Sequence, residues 1–157
     1  MATGDLKMSF AASATTVISH AVDIADGDVV GNDTTLDNST GLYPLATATL
    51  YCPDSWLTTA PTDGTTVDLY MVRQDVDSTD DDTDETTSTD PKNAEYVGSF
   101  LVTGAGTSGA FRKTIVVSLT GVQSANYYIQ NNTAQTINYV ATNITVKIHP
   151  FTWVPAT

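Results

Sequence analysis

An all-β fold, built as an antiparallel β-sandwich, is what this sequence predicts, and three observations carry the expectation. Threonine recurs from Thr3 to Thr157 beyond ordinary usage. Its β-branched side chain loses freedom in a helix but packs well on a pleated surface. Apolar and polar residues alternate with a period of two in run after run, the pattern of half-buried strands. No window of about ten or more residues shows helical periodicity bounded by caps.

The strands follow in chain order. "LKMSF" sets Leu6, Met8 and Phe10 on one face and Lys7 and Ser9 on the other, and "TTVISHAVDIA" reads as one further strand. "ATATLYC" opposes Ala46, Ala48, Leu50 and Cys52 to Thr47, Thr49 and Tyr51. "TVDLYMV" places Val67, Leu69 and Met71 opposite Asp68 and Tyr70. "YVGSFLV" is apolar on both faces and reads as a more central strand. "FRKTIVVSL" turns Ile115, Val117 and Leu119 away from Arg112, Thr114 and Ser118. "NYYIQNN" follows, and "ITVKIH" closes the set with Ile144, Val146 and Ile148 inward. Pro61, Asp63 and Gly64, the Gly104–Gly109 stretch, Gly121, and Asn131 with Asn132 supply turn chemistry between the runs. About seven to nine short strands of this kind suit a jelly-roll-like sandwich.

The 157 residues make one domain, 1–157, long enough to close an apolar core without staples. Net charge is −12, and the only basic residues are Lys7, Arg73, Lys92, Arg112, Lys113 and Lys147. Such a chain repels polyphosphate and lacks a polybasic patch for an anionic bilayer, so neither nucleic acid nor membrane is an expected partner. Cys52 stands alone and reads as a small buried hydrophobe. "MATGDLKMSF" has no charged region followed by a long apolar stretch, so a secretory signal is not expected and synthesis in the cytoplasm is.

Eight carboxylates fall in the sixteen residues from Asp75 to Asp90, an acidic loop (75–90) between two strands. Asp75, Asp77, Asp80 and Asp82 are the candidate calcium ligands. An EF-hand loop needs glycine at its sixth position and glutamate at its twelfth, where this tract has Asp80 and Thr86. A hydrated, self-repelling loop is the expectation, with no metal. "GAGTSG" matches G-x-G-x-x-G at Gly104, Gly106 and Gly109, but an alternating strand follows where a phosphate-binding helix would have to begin. His20 and His149 sit in neither a nucleophile elbow nor a metal-ligand spacing. The four N-x-S/T matches, at Asn32, Asn38, Asn131 and Asn143, are expected accidents of a Thr-rich chain. No catalytic residue and no cofactor is predicted, and the chain is not expected to be an enzyme.

Two surfaces remain for partners. Tyr51, Tyr70 and Trp56 form a candidate aromatic platform for a glycan, the alternative function. "KIHPFTWVPAT" carries Phe151, Trp153 and Val154 after the last predicted strand, more apolar bulk than a free tail should expose, and is expected to be an apolar arm (150–157). Together with Leu6 and Met8 at the other end of the chain, these are the candidate partner-binding residues.

"LDNSTGLYPLATATL", "APTDGTTVDLYMV", "AEYVGSFLV" and "YYIQNNTAQTI", in that order, resemble small all-β virion proteins of tailed bacteriophages across roughly 5–150. Similar proteins have a shorter loop where this chain carries the acidic tract. The resemblance implies a virion structural part. An acidic chain belongs on the outside of a shell rather than against packaged DNA, so a capsid decoration, or cement, protein is the expected role. The partners would then be the major capsid protein and further copies of itself, with a trimer favoured, and the location the virion. A tail or neck accessory protein is the other structural alternative.

Overall fold

The computed structural model describes residues 5–31, 33–74, 86–87, 90–91, 94–103 and 108–156. In chain order the strands are β1 (Leu6–Phe10), β2 (Thr15–His20), β3 (Val29–Gly31), β4 (Leu36–Asp37), β5 (Leu45–Cys52) and β6 (Thr66–Gln74). Two short pieces, β7 (Thr86–Thr87) and β8 (Asp90–Pro91), pair only with each other. The later strands are β9 (Glu95–Leu101), β10 (Phe111–Ser118), β11 (Ser124–Asn132) and β12 (Ile144–Pro155). The fold is all-β, and every pairing among the described residues is antiparallel.

Ten of these strands build two five-stranded sheets, where the sequence predicts seven to nine strands in all. One edge of each sheet is broken in two, and the broken edge of sheet two, β3 with β4, supplies the two strands that the eight sequence runs lack. In sheet one, the order from the broken edge is β1 and β2 side by side along β12, then β5, then β10. In sheet two, β3 and β4 share one edge of β11, followed by β6 and β9. Strands this short carry no readable period, which is why β3 and β4 are absent from the sequence reading.

The two sheets face each other in a sandwich-like arrangement across one apolar core. Alternation decides which side chains enter it. β5 contributes Ala46, Ala48, Leu50 and Cys52, β6 contributes Val67, Leu69 and Met71, and β12 contributes Ile144, Val146 and Ile148, all buried. Burial pushes the Cys52 thiol well above its ordinary pKa, so it packs as an inert hydrophobe. Val17 and Ile18 are both buried although adjacent, because Val17 is an extra residue in β2: Ile18 opposes Val146 while Thr16 opposes Lys147. β11 is the strand buried on both faces: Ala125, Tyr127 and Ile129 enter the core, while Tyr128 packs with Val29 and Val72 in a smaller cluster.

"YVGSFLV", expected to be central, forms the edge strand β9 instead. Its apolar residues serve the closure of the sandwich rather than a second covered face. Phe100 is buried, Leu101 is exposed, and Gly98 lies so close to the other sheet that an added Cβ would sit 2.9 Å from Ile115 Cδ1. "TTVISHAVDIA" likewise ends as a strand at His20, after which Ile24 makes an isolated bridge with Ile137.

Two buried asparagines pin the loops. Asn131 Nδ2 donates to the carbonyls of Ile24 (2.9 Å) and Gln135 (2.7 Å), and its Oδ1 accepts from the Thr133 amide and hydroxyl. Asn38 Nδ2 donates to the Tyr43 and Val122 carbonyls. Both side chains are fully engaged and buried, so these two N-x-S/T matches are structural positions.

Tyr127 is the exception: its hydroxyl is buried without a hydrogen-bond partner among the described residues, and burial raises its pKa far above the usual phenol value. Folding therefore favours the neutral phenol. That contribution is fully present below the unfolded value near 10 and is lost as pH rises toward the folded one. Tyr127→Phe removes an unpaired polar group worth about 1–3 kcal/mol of desolvation. The variant is expected to melt at the same or a higher temperature, and to lose stability less steeply above about pH 10, as followed by thermal denaturation across alkaline pH.

Candidate interaction surface

The outer face of sheet one carries five of the eleven exposed large hydrophobic side chains among the described residues: Leu6, Met8, Phe10, Val116 and Trp153. Its rows are fixed by register. Arg112, Tyr51 and Thr145 lie side by side, then Thr114, Thr49 and Lys147, then Val116, Thr47 and His149. The next row is Ser118, Leu45, Phe151 and Phe10, followed by the pairs Trp153–Met8 and Pro155–Leu6. The face is polar and cationic at one end and apolar at the other.

The apolar end is an aromatic cluster. Phe151 is buried beneath its neighbours, with ring centroids 5.4 Å from Phe10 and 6.1 Å from Trp153. The covering residues are themselves open to solvent: Leu6 is 62% exposed, Trp153 50%, Phe10 42% and Met8 38%. Val22, Leu42, Tyr96, Leu101, Val116, Tyr139 and Val140 are exposed as well, but on β1 and β12 four large apolar side chains stand in paired positions around one aromatic cluster, which makes this the candidate contact surface.

The polar end is an open groove of about 580 Å³. The Arg112 guanidinium lies 5.5 Å from the Tyr51 ring centroid, in cation–π range. The Thr49 and Thr114 hydroxyls are hydrogen-bonded to each other at 2.9 Å. His149 stands where the two ends meet: its Nε2 is 2.9 Å from the Ala11 carbonyl, and its ring is 4.7 Å from that of Phe10. It is thus a half-buried tie between β12 and the start of the chain, not the solvated side chain that its polar-face position suggests.

Of the predicted partner-binding residues, Leu6, Met8, Phe151 and Trp153 come together on this face. Val154 does not; it pairs with Lys7 and points to the other side. Residues 150–155 form no arm, because β12 runs unbroken to Pro155 and its second half is, among the described residues, the one strand that β1 pairs with. Phe10, central to the patch, carries no partner-binding assignment from sequence, though its place beside Leu6 and Met8 in "LKMSF" is the signal for it. The glycan trio does not converge. Trp56 is buried and stacked on Phe111 at 4.9 Å, and Tyr70 lies in sheet two against Tyr96, away from Tyr51 in sheet one. Burial, then Asp68 and Tyr96, raise the Tyr70 pKa.

The candidate calcium ligands Asp75, Asp77, Asp80 and Asp82 lie outside the described residues, as do Gly104 and Gly106. Gly109 adopts φ 80°, and the strand β10 follows it. Among the described residues no three His, Cys, Asp or Glu side chains gather as a metal would require. The sequence matches no protein-family model and no curated protein.

Because β12 supplies the partner for β1, truncation after Pro150 removes Phe151 and leaves β1 unpaired. The shortened chain is expected to lose stability on the scale of a deleted buried aromatic, about 3–5 kcal/mol, with a clear fall in the midpoint of denaturant unfolding.

Proposed function

We propose that this chain is a non-enzymatic structural protein that attaches to other proteins through the outer face of sheet one, and that it decorates the outside of a tailed-phage head. The exposed patch of Leu6, Met8, Phe10 and Trp153 is the observation that carries this proposal. Aromatic and aliphatic side chains of this size are the usual anchors of a protein interface.

The strand order supports a jelly roll as the scaffold. Taking each broken edge as one line leaves four lines per sheet, and successive lines alternate between the sheets except at β6 and β9, which are neighbours in sheet two. That is the two-sheet, eight-line plan common among capsid and lectin domains. Charge supports the outward location, since a chain of net −12 is repelled by packaged DNA.

In this proposal the apolar end of sheet one meets the major capsid protein or another copy of the chain, with a trimer favoured. A partner surface that exists only on the assembled lattice would be stabilised by mass action as each copy binds. The tail or neck is the other location that a purely structural role allows.

Reconstruction of the intact particle tests the location: density for this chain on the head supports decoration, and density on the tail or neck, or none, overturns it. The Met8→Ser, Trp153→Ser double variant tests the surface. Loss of a central aromatic anchor costs about 2 kcal/mol or more, so occupancy on assembled shells is expected to need roughly thirtyfold more protein. Undiminished occupancy by a variant that still folds would remove this face from the interface.

A further inference from the structure

We propose that the groove at the polar end of sheet one binds an acidic saccharide, with Arg112 and Lys147 taking the sugar carboxylate. Charge is the first argument. The chain carries eighteen acidic and six basic residues, so two cations brought into one groove stand out against the charge of the rest of the chain. Among the described residues the one ion pair is Arg73 with Glu95, at 3.0 Å. Arg112 and Lys147 both line the groove, both are exposed, and among the described residues no Asp or Glu lines it with them.

Geometry favours a carboxylate at Arg112. Its guanidinium lies against the Tyr51 ring, which restricts the side chain before any ligand arrives. A guanidinium so held offers a planar fork of donors that matches a carboxylate in a bidentate contact.

The remaining lining selects saccharide over acidic polypeptide. Thr47 and Thr145 present hydroxyls, which both donate and accept as sugar hydroxyls require; the Thr49–Thr114 pair keeps acceptor capacity beyond its mutual bond, and Asn143, whose Nδ2 donates to Ser19, offers its Oδ1. A peptide strand would need free backbone groups, but the groove lies across the faces of β10, β5 and β12. The backbone groups between those strands are spent on the ladders that join them. The volume of about 580 Å³ suits a short oligosaccharide rather than a folded partner. The groove adjoins the apolar patch at His149, but Arg112 and Lys147 lie outside that patch, and the proposal stands whether or not the chain decorates a particle.

The test is calorimetric titration of the isolated protein with two acidic saccharides, 3′-sialyllactose and tri-galacturonate. Lactose and methyl-esterified tri-galacturonate serve as neutral counterparts, and hexaglutamate as an acidic peptide. At least one acidic saccharide is expected to bind at least tenfold more tightly than its neutral counterpart and than hexaglutamate. Arg112→Ala and Lys147→Ala, both at exposed positions, are each expected to weaken that binding by about tenfold or more, the scale of a lost charge-assisted hydrogen bond, without moving the melting temperature. Failure of both acidic saccharides to bind overturns the proposal, as does equal binding of the neutral forms. Hexaglutamate binding as tightly would make the groove a site for acidic polypeptide instead. Affinity unchanged in both variants would place the saccharide elsewhere.

Discussion

The pairing of β12 on both of its edges is the constraint on which the rest of the molecule depends. β5 covers one edge from Thr145 to Phe151, and β2 and β1 share the other. A proline in a central strand removes a ladder donor, and Pro150 sits in the middle of this one. The missing donor is tolerated because of the side it faces. The Pro150 carbonyl accepts from the Ala11 amide at 2.8 Å, so its nitrogen also points to the β1–β2 edge, where residues 11–14 interrupt the line. The break in the edge and the proline opposite it are one feature, and the His149 ring secures it by reaching the Ala11 carbonyl.

From that pairing follows the division of the surface. Even-numbered residues of β12 from Ile144 to Ile148 enter the core, so the odd-numbered ones face outward. Met8 opposes Trp153 and Phe10 opposes Phe151, which commits the apolar face of β1 to the outside. A slip of one residue would turn Lys7 and Ser9 outward and press Met8 and Phe10 toward the interior. The patch is therefore set by register, and not by a shortage of polar residues in β1.

The same logic explains how far the sequence can be read. Strict alternation in "ATATLYC", "TVDLYMV" and "ITVKIH" identifies three strands together with their buried residues, because each has one face on the core. "LKMSF" alternates as cleanly, and its apolar residues do share a face, yet that face is the outer one. Alternation reports which side chains travel together, and only register says where they go. "YVGSFLV" misleads for a related reason: a bulge at Val97 and the close approach of Gly98 to Ile115 give an edge strand the apolar content of an interior one. Proline reads as a stop in "KIHPFTWVP" because its tolerance depends on a partner strand some 140 residues earlier in the chain. The groove is hidden for the same reason, since Arg112, Tyr51 and Lys147 become neighbours only through the ladders joining β10, β5 and β12.

Charge finally separates the two ends of this face in how they act. Copies bearing a net charge of −12 repel one another, and salt screens that repulsion over a Debye length of about 8 Å at physiological ionic strength. Contact through Leu6, Met8, Phe10 and Trp153 is apolar, so screening removes an opposing force and leaves the attraction intact. Attraction of an anion to Arg112 and Lys147 is Coulombic, so the same screening weakens it. If both proposed contacts form, the two halves of one sheet face respond to ionic strength in opposite directions, so that salt would favour a protein neighbour at one end and release an anionic ligand at the other.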